Sequence, residues 1–135
     1  MSAEIYRDLI LDHYRNPHNF GEMSNPDVRV KDSNPLCGDV IEMQLKIGNH
    51  TLEDVKFRGS GCAISQASAS MLTDAVKGKT LEEVKQMNKK TILDLMGIEL
   101  GPTRIKCALL SLKVIKLGVY SYLGQALSED DEHLL

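Results

Sequence analysis

Four residues of this chain carry side chains suited to holding a soft metal or exchanging sulfur: Cys37, Asp39, Cys62 and Cys107. Cys37 and Asp39 lie two residues apart in Asn34-Pro35-Leu36-Cys37-Gly38-Asp39-Val40, where an alternating apolar pattern begins. Residues i and i+2 of an extended chain project to one side, so thiolate and carboxylate are expected to converge. Gly38 between them has no Cβ, which lets the backbone bend or come close to what is bound. Cys62 follows Gly59-Ser60-Gly61, and Cys107 follows Arg104-Ile105-Lys106. Both cysteines fall in what reads as the first turn of a helix, where free N–H groups and partial positive charge favour the thiolate. Lys106, with Arg104 close by, adds positive potential and is an auxiliary member of the constellation.

Three thiolates and a carboxylate satisfy tetrahedral zinc. They equally supply the four protein ligands of a 2Fe–2S cluster. Ligand softness favours zinc or iron over magnesium or calcium. A carboxylate holds cluster iron less well than a fourth thiolate, which suits a site that gives its cluster away. The competing reading is three unrelated buried thiols, because free cysteine is among the most buried residue types. No Cys-x-x-Cys pair is present, so spacing alone does not announce a zinc finger or a dithiol redox site. His13 and His18 flank a break at Asn16-Pro17 and read as capping or surface residues outside the constellation.

The elements that must position these residues follow from periodicity. Ile5, Tyr6, Leu9 and Ile10 form a helical stripe over Ala3 to Tyr14, ended at Asn16-Pro17. Residues 1–20 are therefore expected to hold an N-terminal helix able to detach and help dock a partner, with plain core packing as the alternative. Val28 and Val30 mark a short strand. Ile41, Met43, Leu45 and Ile47 alternate with Glu42, Gln44 and Lys46, a half-buried strand. Gly48-Asn49-His50 turns the chain into a partner strand from Leu52 to Arg58, giving an antiparallel meander with one wet face. A helix follows Cys62 and ends at Gly78. Thr80 with Glu83 is a capping box for a short helix, and Thr91 to Met96 forms another. A long helix runs from Thr103 to Leu123 with Lys106, Lys113 and Lys116 on its solvent side. Residues 127–135 read as an acidic, solubilising tail. The fold class is α+β: a three-stranded antiparallel sheet with helices packed on one face.

A chain of 135 residues with 42% apolar content fits one domain spanning 1–135. It has no apolar run near the ~20 residues that span a bilayer. Glu4 and Asp8 near the start fit neither a secretory signal nor a transit peptide, so a cytoplasmic protein without a membrane partner is expected. The net charge of −3 argues against non-specific nucleic-acid binding. Three cysteines in a reducing cytosol are expected to stay free of disulfides.

The flanking residues carry a resemblance. Ile10-Leu11-Asp12-His13-Tyr14-Arg15-Asn16-Pro17 with Asn19-Phe20-Gly21, Asn34 to Asp39, Phe57 to Ser68 and Arg104-Ile105-Lys106-Cys107-Ala108 resemble the iron–sulfur cluster assembly scaffolds of the IscU, SufU and NifU N-terminal group. The likeness covers nearly the whole chain. It implies that Cys37, Asp39, Cys62 and Cys107 bind the cluster at one exposed end of the fold, with Cys37 or Cys107 as the acceptor of persulfide sulfur. It further implies a cysteine desulfurase as sulfur donor and apo iron–sulfur proteins or carriers as recipients. The protein is then a scaffold and sulfur acceptor rather than an enzyme, or, as the alternative, a zinc-dependent sulfurtransferase of SufU type with zinc in the same place. A chaperone contact and a cluster-bridged homodimer stay open. Where IscU-type scaffolds carry Leu-Pro-Pro-Val-Lys and a His before the last cysteine, this chain reads Leu100-Gly101-Pro102-Thr103-Arg104 and Lys106, and Arg-x-Lys-Cys is the SufU spelling.

Overall fold

The alternating apolar run becomes the central strand of a three-stranded antiparallel sheet in the computed structural model, which describes residues 3–135. Helix α1 (Ala3–Arg15) precedes strands β1 (Val28–Asn34), β2 (Asp39–Gly48) and β3 (Thr51–Ser60), which pair in chain order. Ile41, Met43, Leu45 and Ile47 of β2, with Val55 and Phe57 of β3, point into the core as their alternation demands. Asn49 and His50 both take positive φ (51° and 58°) in the two-residue connection from β2 to β3. That conformation matches the twist of the paired strands.

Helices α2 (Ala63–Val76), α3 (Leu81–Gln86), α4 (Lys89–Met96), α5 (Pro102–Tyr122) and α6 (Glu129–Glu132) complete the chain. Helix α5 lies across β1 and β2, and α2 lies beside it against β3, so both cover the same face of the sheet. Thr80 and Glu83 close the expected capping box of α3. Asn88 caps α4 through Thr91, which starts that helix earlier than the apolar pattern indicated. Helix α1 rests on the outer side of α2 through buried Ile10 and His13.

Three side chains differ from their expected environments, each for a packing reason. Gln44, read as outward on β2, is buried because the chain after α1 crosses there and Met23 N–H donates to its Oε1 at 2.9 Å. Lys116, read as a solvent-side lysine of α5, is only 2% exposed. Its ammonium donates to Asp131 at 2.7 Å and to the Lys85 carbonyl at 3.0 Å. The acidic segment is accordingly more than a solvated tail. Ser128 caps α6, Asp131 is buried between Lys116 and Tyr120, and Leu134 and Leu135 pack against the core. A single ion pair aimed inward is invisible in a run of four acids.

Candidate metal centre

The β1–β2 hairpin decides where Cys37 and Asp39 stand. Asn34 pairs with Asp39, and residues 35–38 form the turn between them. Cys37 and Gly38 both donate backbone N–H to the Asn34 carbonyl, at 3.2 and 2.9 Å. Gly38 takes φ +70°, a value that favours glycine. Cys37 and Asp39 are therefore brought together by a tight turn, not by the extended geometry expected of an i, i+2 pair. The tip is open to solvent, and Leu36 beside Cys37 is 72% exposed.

Asp39 is wholly buried at the start of β2, where β3 has just ended beside it. Its Oδ1 accepts the N–H of Cys62 at 2.9 Å, and its Oδ2 lies 3.9 Å from Cys62 Sγ. Gly61 makes this approach feasible: it has φ +139°, and any Cβ there would strike the Asp39 carboxylate. Cys62 is the N-cap residue of α2, one position before the expected first turn; its side chain makes no cap bond, and the carboxylate of Asp39 satisfies its backbone N–H. The Cys62 carbonyl accepts from Ser65 Oγ at 3.0 Å.

Cys107 comes from α5. That helix starts at Pro102, so Cys107 lies in its second turn rather than its first. Ser68 of α2 donates to the Ala108 carbonyl at 2.7 Å and shares a 3.0 Å hydrogen bond with Ser111, locking this part of α5 onto α2. Cys107 Sγ then stands 3.1 Å from Cys37 Sγ. Single ligand atoms of Cys37, Asp39 and Cys107 all fall within 4.8 Å of one another. The fourth residue, Cys62, joins them through Asp39.

The electrostatics differ from the sequence expectation at Cys107. Burial first, then its contacts with Cys37, Asp39 and Cys62, push its thiol far above the ordinary range. Without a bound cation this thiol is protonated at neutral pH. The expected stabilisation of its thiolate by a helix end fails because the sulfur is one turn too deep and dry. Lys106 makes no hydrogen bond or ion pair with the thiols among the described residues; it lines cavities with Asn34, Pro35, Leu36 and Leu135 and with the α6 segment. Arg104 takes the electrostatic role instead. Its guanidinium reaches Cys62 and Cys107, and its interactions with them, Cys62 foremost, raise its own pKa. Helical spacing could have signalled this, since Arg104 and Cys107 are three positions apart and share one face.

The donor set fits a soft cation. Asp39 is a fully buried carboxylate that forms no ion pair with Lys, Arg or His among the described residues. Buried charges are paired or coordinate metals. Three sulfurs beside it select zinc or iron.

The family model of the NifU-like N-terminal domain matches residues 5–129. A zinc-dependent sulfurtransferase SufU of Bacillus subtilis (strain 168) is 42% identical over 132 residues, covering 85% of this chain and 89% of the relative. The iron–sulfur cluster assembly scaffold protein IscU of Escherichia coli (strain K12) is 36% identical over 121 residues, covering 87% and 93%. Among solved structures, that of an iron–sulfur cluster assembly scaffold protein of the SUF system from Fervidobacterium islandicum AW-1 superposes with a TM-score of 0.73. It is 26% identical and covers 88% of this chain and 99% of that one.

Proposed function

Because the chain belongs to the NifU-like N-terminal domain family, we propose that it is a scaffold for iron–sulfur cluster assembly, with Cys37, Asp39, Cys62 and Cys107 as the seat of the 2Fe–2S cluster it builds and hands on. The observation that carries this reading is the buried carboxylate of Asp39, without an ion-pair partner among the described residues, at the meeting point of three free cysteines. The cluster is cargo, so the chain's own work is to accept sulfur and to hold iron in a dry, thiol-rich corner. The sulfur donor is a cysteine desulfurase. A thiolate of the scaffold attacks the outer sulfur of the donor's persulfide. A new S–S bond forms on the scaffold, the donor's S–S bond breaks, and the donor leaves as a thiolate. Recipient apoproteins take the finished cluster from the same open end.

A second reading has its own support: zinc held by the same four residues, with sulfur transfer in place of cluster building. The 42% identity to a protein named as a zinc-dependent sulfurtransferase favours it, as does the Arg104-Ile105-Lys106-Cys107 spelling. Anaerobic purification with visible spectroscopy and metal analysis, followed by incubation with desulfurase, ferrous iron and excess cysteine, whose thiol also reduces persulfide sulfur to sulfide, separates the two. A scaffold turns brown with sulfide and iron in equal amounts. Colourless protein that keeps one zinc through the incubation and gains only persulfide supports the second reading and removes the first.

A further inference from the structure

We propose that His13, His18 and Asp74 form a second site for a divalent transition metal, separate from the thiols, which ties α1 to α2. From the sequence both histidines read as capping or surface groups. The fold instead brings one from α1 and one from the turn after it onto a carboxylate near the end of α2, with candidate ligand atoms of all three within 4.8 Å of one another. Asp74 lies twelve residues beyond Cys62, about 18 Å along α2 at 1.5 Å per residue. This cluster therefore shares no ligand with the cysteine corner.

The surrounding groups orient these three as the outer contacts of a metal site orient its ligands. The His13 Nδ1 lies 2.7 Å from Ser70 Oγ. With the proton on Nδ1 in that bond, Nε2 carries the free lone pair. The same Ser70 hydroxyl accepts the backbone N–H of His18 at 2.8 Å, so one side chain positions both histidines. The rings lie with centroids 4.4 Å apart. Asp74 is anchored through Oδ1, which accepts from Asn19 Nδ2 at 2.9 Å, leaving Oδ2 directed at His18 Nδ1, 2.5 Å away.

An ion can take the place of the proton shared by His18 and Asp74. Zinc–nitrogen and zinc–oxygen distances near 2 Å at a tetrahedral angle require the pair to open to about 3.3 Å. The side chains of His18 and Asp74 are 48% and 46% exposed, so they are free to make that adjustment. Solvent completes the coordination on their open side, while buried His13 gives the ion a fixed inner ligand. Two imidazoles and a carboxylate suit zinc or ferrous iron and lack the thiolates that a tighter, softer site would offer. Since the ligands come from α1, the following turn and α2, binding joins the N-terminal helix to the body of the fold.

The test uses the full chain, freed of metal, titrated with zinc and separately with cobalt. The thiol corner gives intense sulfur-to-cobalt charge-transfer absorption; the proposed site adds only weak d–d bands. Zinc beyond the first equivalent is expected to shift the His13 and His18 imidazole resonances and to raise the melting temperature. His18→Ala and Asp74→Asn, both at half-exposed positions, are expected to lose that second equivalent while keeping the charge-transfer band. Retention of that band and a native amide spectrum shows that each variant is folded. Imidazole resonances that stay put at saturating zinc, or a second equivalent that survives both substitutions, overturn the proposal.

Discussion

The sulfur atoms of Cys37 and Cys107 lie 3.1 Å apart although 70 residues of sequence separate them. One sulfur rides on a solvent-facing turn, the other on a buried helix. Two thiols in contact need only lose two electrons and two protons to join, and a mild two-electron oxidant such as diamide takes both. Metal-free protein is expected to form the Cys37–Cys107 crosslink first, and bound metal to prevent it. Peptide mapping after brief oxidation reads the outcome. A first crosslink through Cys62 would contradict the geometry, since the sulfur of Cys62 sits by Asp39 Oδ2 at 3.9 Å.

Cys37 is expected to be the first acceptor of donor sulfur. It sits on the exposed turn, whereas Cys107 is inaccessible and its thiol is held protonated by burial. A protonated, buried thiol is a poor nucleophile. Trapping the persulfide after one desulfurase turnover and locating it by mass spectrometry decides the order. Label appearing first on Cys107, at an unchanged rate in Cys37→Ser, would sink this.

Asp39 accepts the N–H of Cys62, and its proposed role as a ligand is separable from that bond. Asp39→Ala leaves the N–H of Cys62 without its acceptor and is expected to cost about 1–3 kcal/mol of stability. Asp39→Asn keeps an oxygen for that N–H but loses the charge, so it should melt close to wild type while altering metal or cluster retention. Denaturation curves and the visible spectrum measured on both variants separate hydrogen-bond acceptor from ligand. A wild-type spectrum in Asp39→Asn would remove Asp39 from the ligand set.

The protonated Cys107 gives the centre a pH signature. Its folded-state pKa is raised, chiefly by burial, so the protonated form is favoured in the folded protein. The stability it contributes is complete below the unfolded thiol value of about 8.5 and falls as pH rises above it. Metal-free protein is expected to weaken progressively at alkaline pH, and Cys107→Ala to flatten that slope. Binding must also expel the proton, so zinc affinity should increase with pH through the neutral range. Calorimetry in two buffers of different ionisation enthalpy should show at least one proton released per ion. No proton release at pH 7 would be incompatible with this assignment.

The Lys116–Asp131 pair, 2.7 Å apart and buried, fixes the C-terminal segment to α5. Asp131 is held below its ordinary pKa: burial opposes the charge, but Lys116, Ser128 and Tyr120 together outweigh it. A lowered carboxylate pKa adds stability above the unfolded value of about 3.9 and loses it as pH falls further. Asp131→Asn leaves the ammonium of Lys116 buried and is expected to cost about 3–5 kcal/mol. Lys116→Met with Asp131→Leu, which removes both charges, should recover most of that loss in urea denaturation. Failure of the double variant to recover would point to a packing role for this segment instead.

The sequence alone determined the strand periodicity, the capping box at Thr80 and the extent of the long helix to within a residue, and it offered Cys37, Asp39, Cys62 and Cys107 as the candidate site. These signals are local: alternation, helical spacing and turn residues depend on neighbours a few positions away. What stood beyond it was set by pairings distant in the chain. The register of Asn34 with Asp39 placed Cys37 on a turn, the Ser68–Ala108 bond set the depth of Cys107, and Ser70 drew His13 and His18 together. Of the two cations read as neighbours of the sulfurs, Arg104 reaches them and Lys106 lines a cavity beside the turn, because helix rotation, fixed only by packing, decides which cation meets the sulfurs. The same holds for Lys116 and Asp131, whose charges look solvated in sequence and are buried because α6 folds back over α5. Burial is a property of the assembled layers, and no single segment carries it.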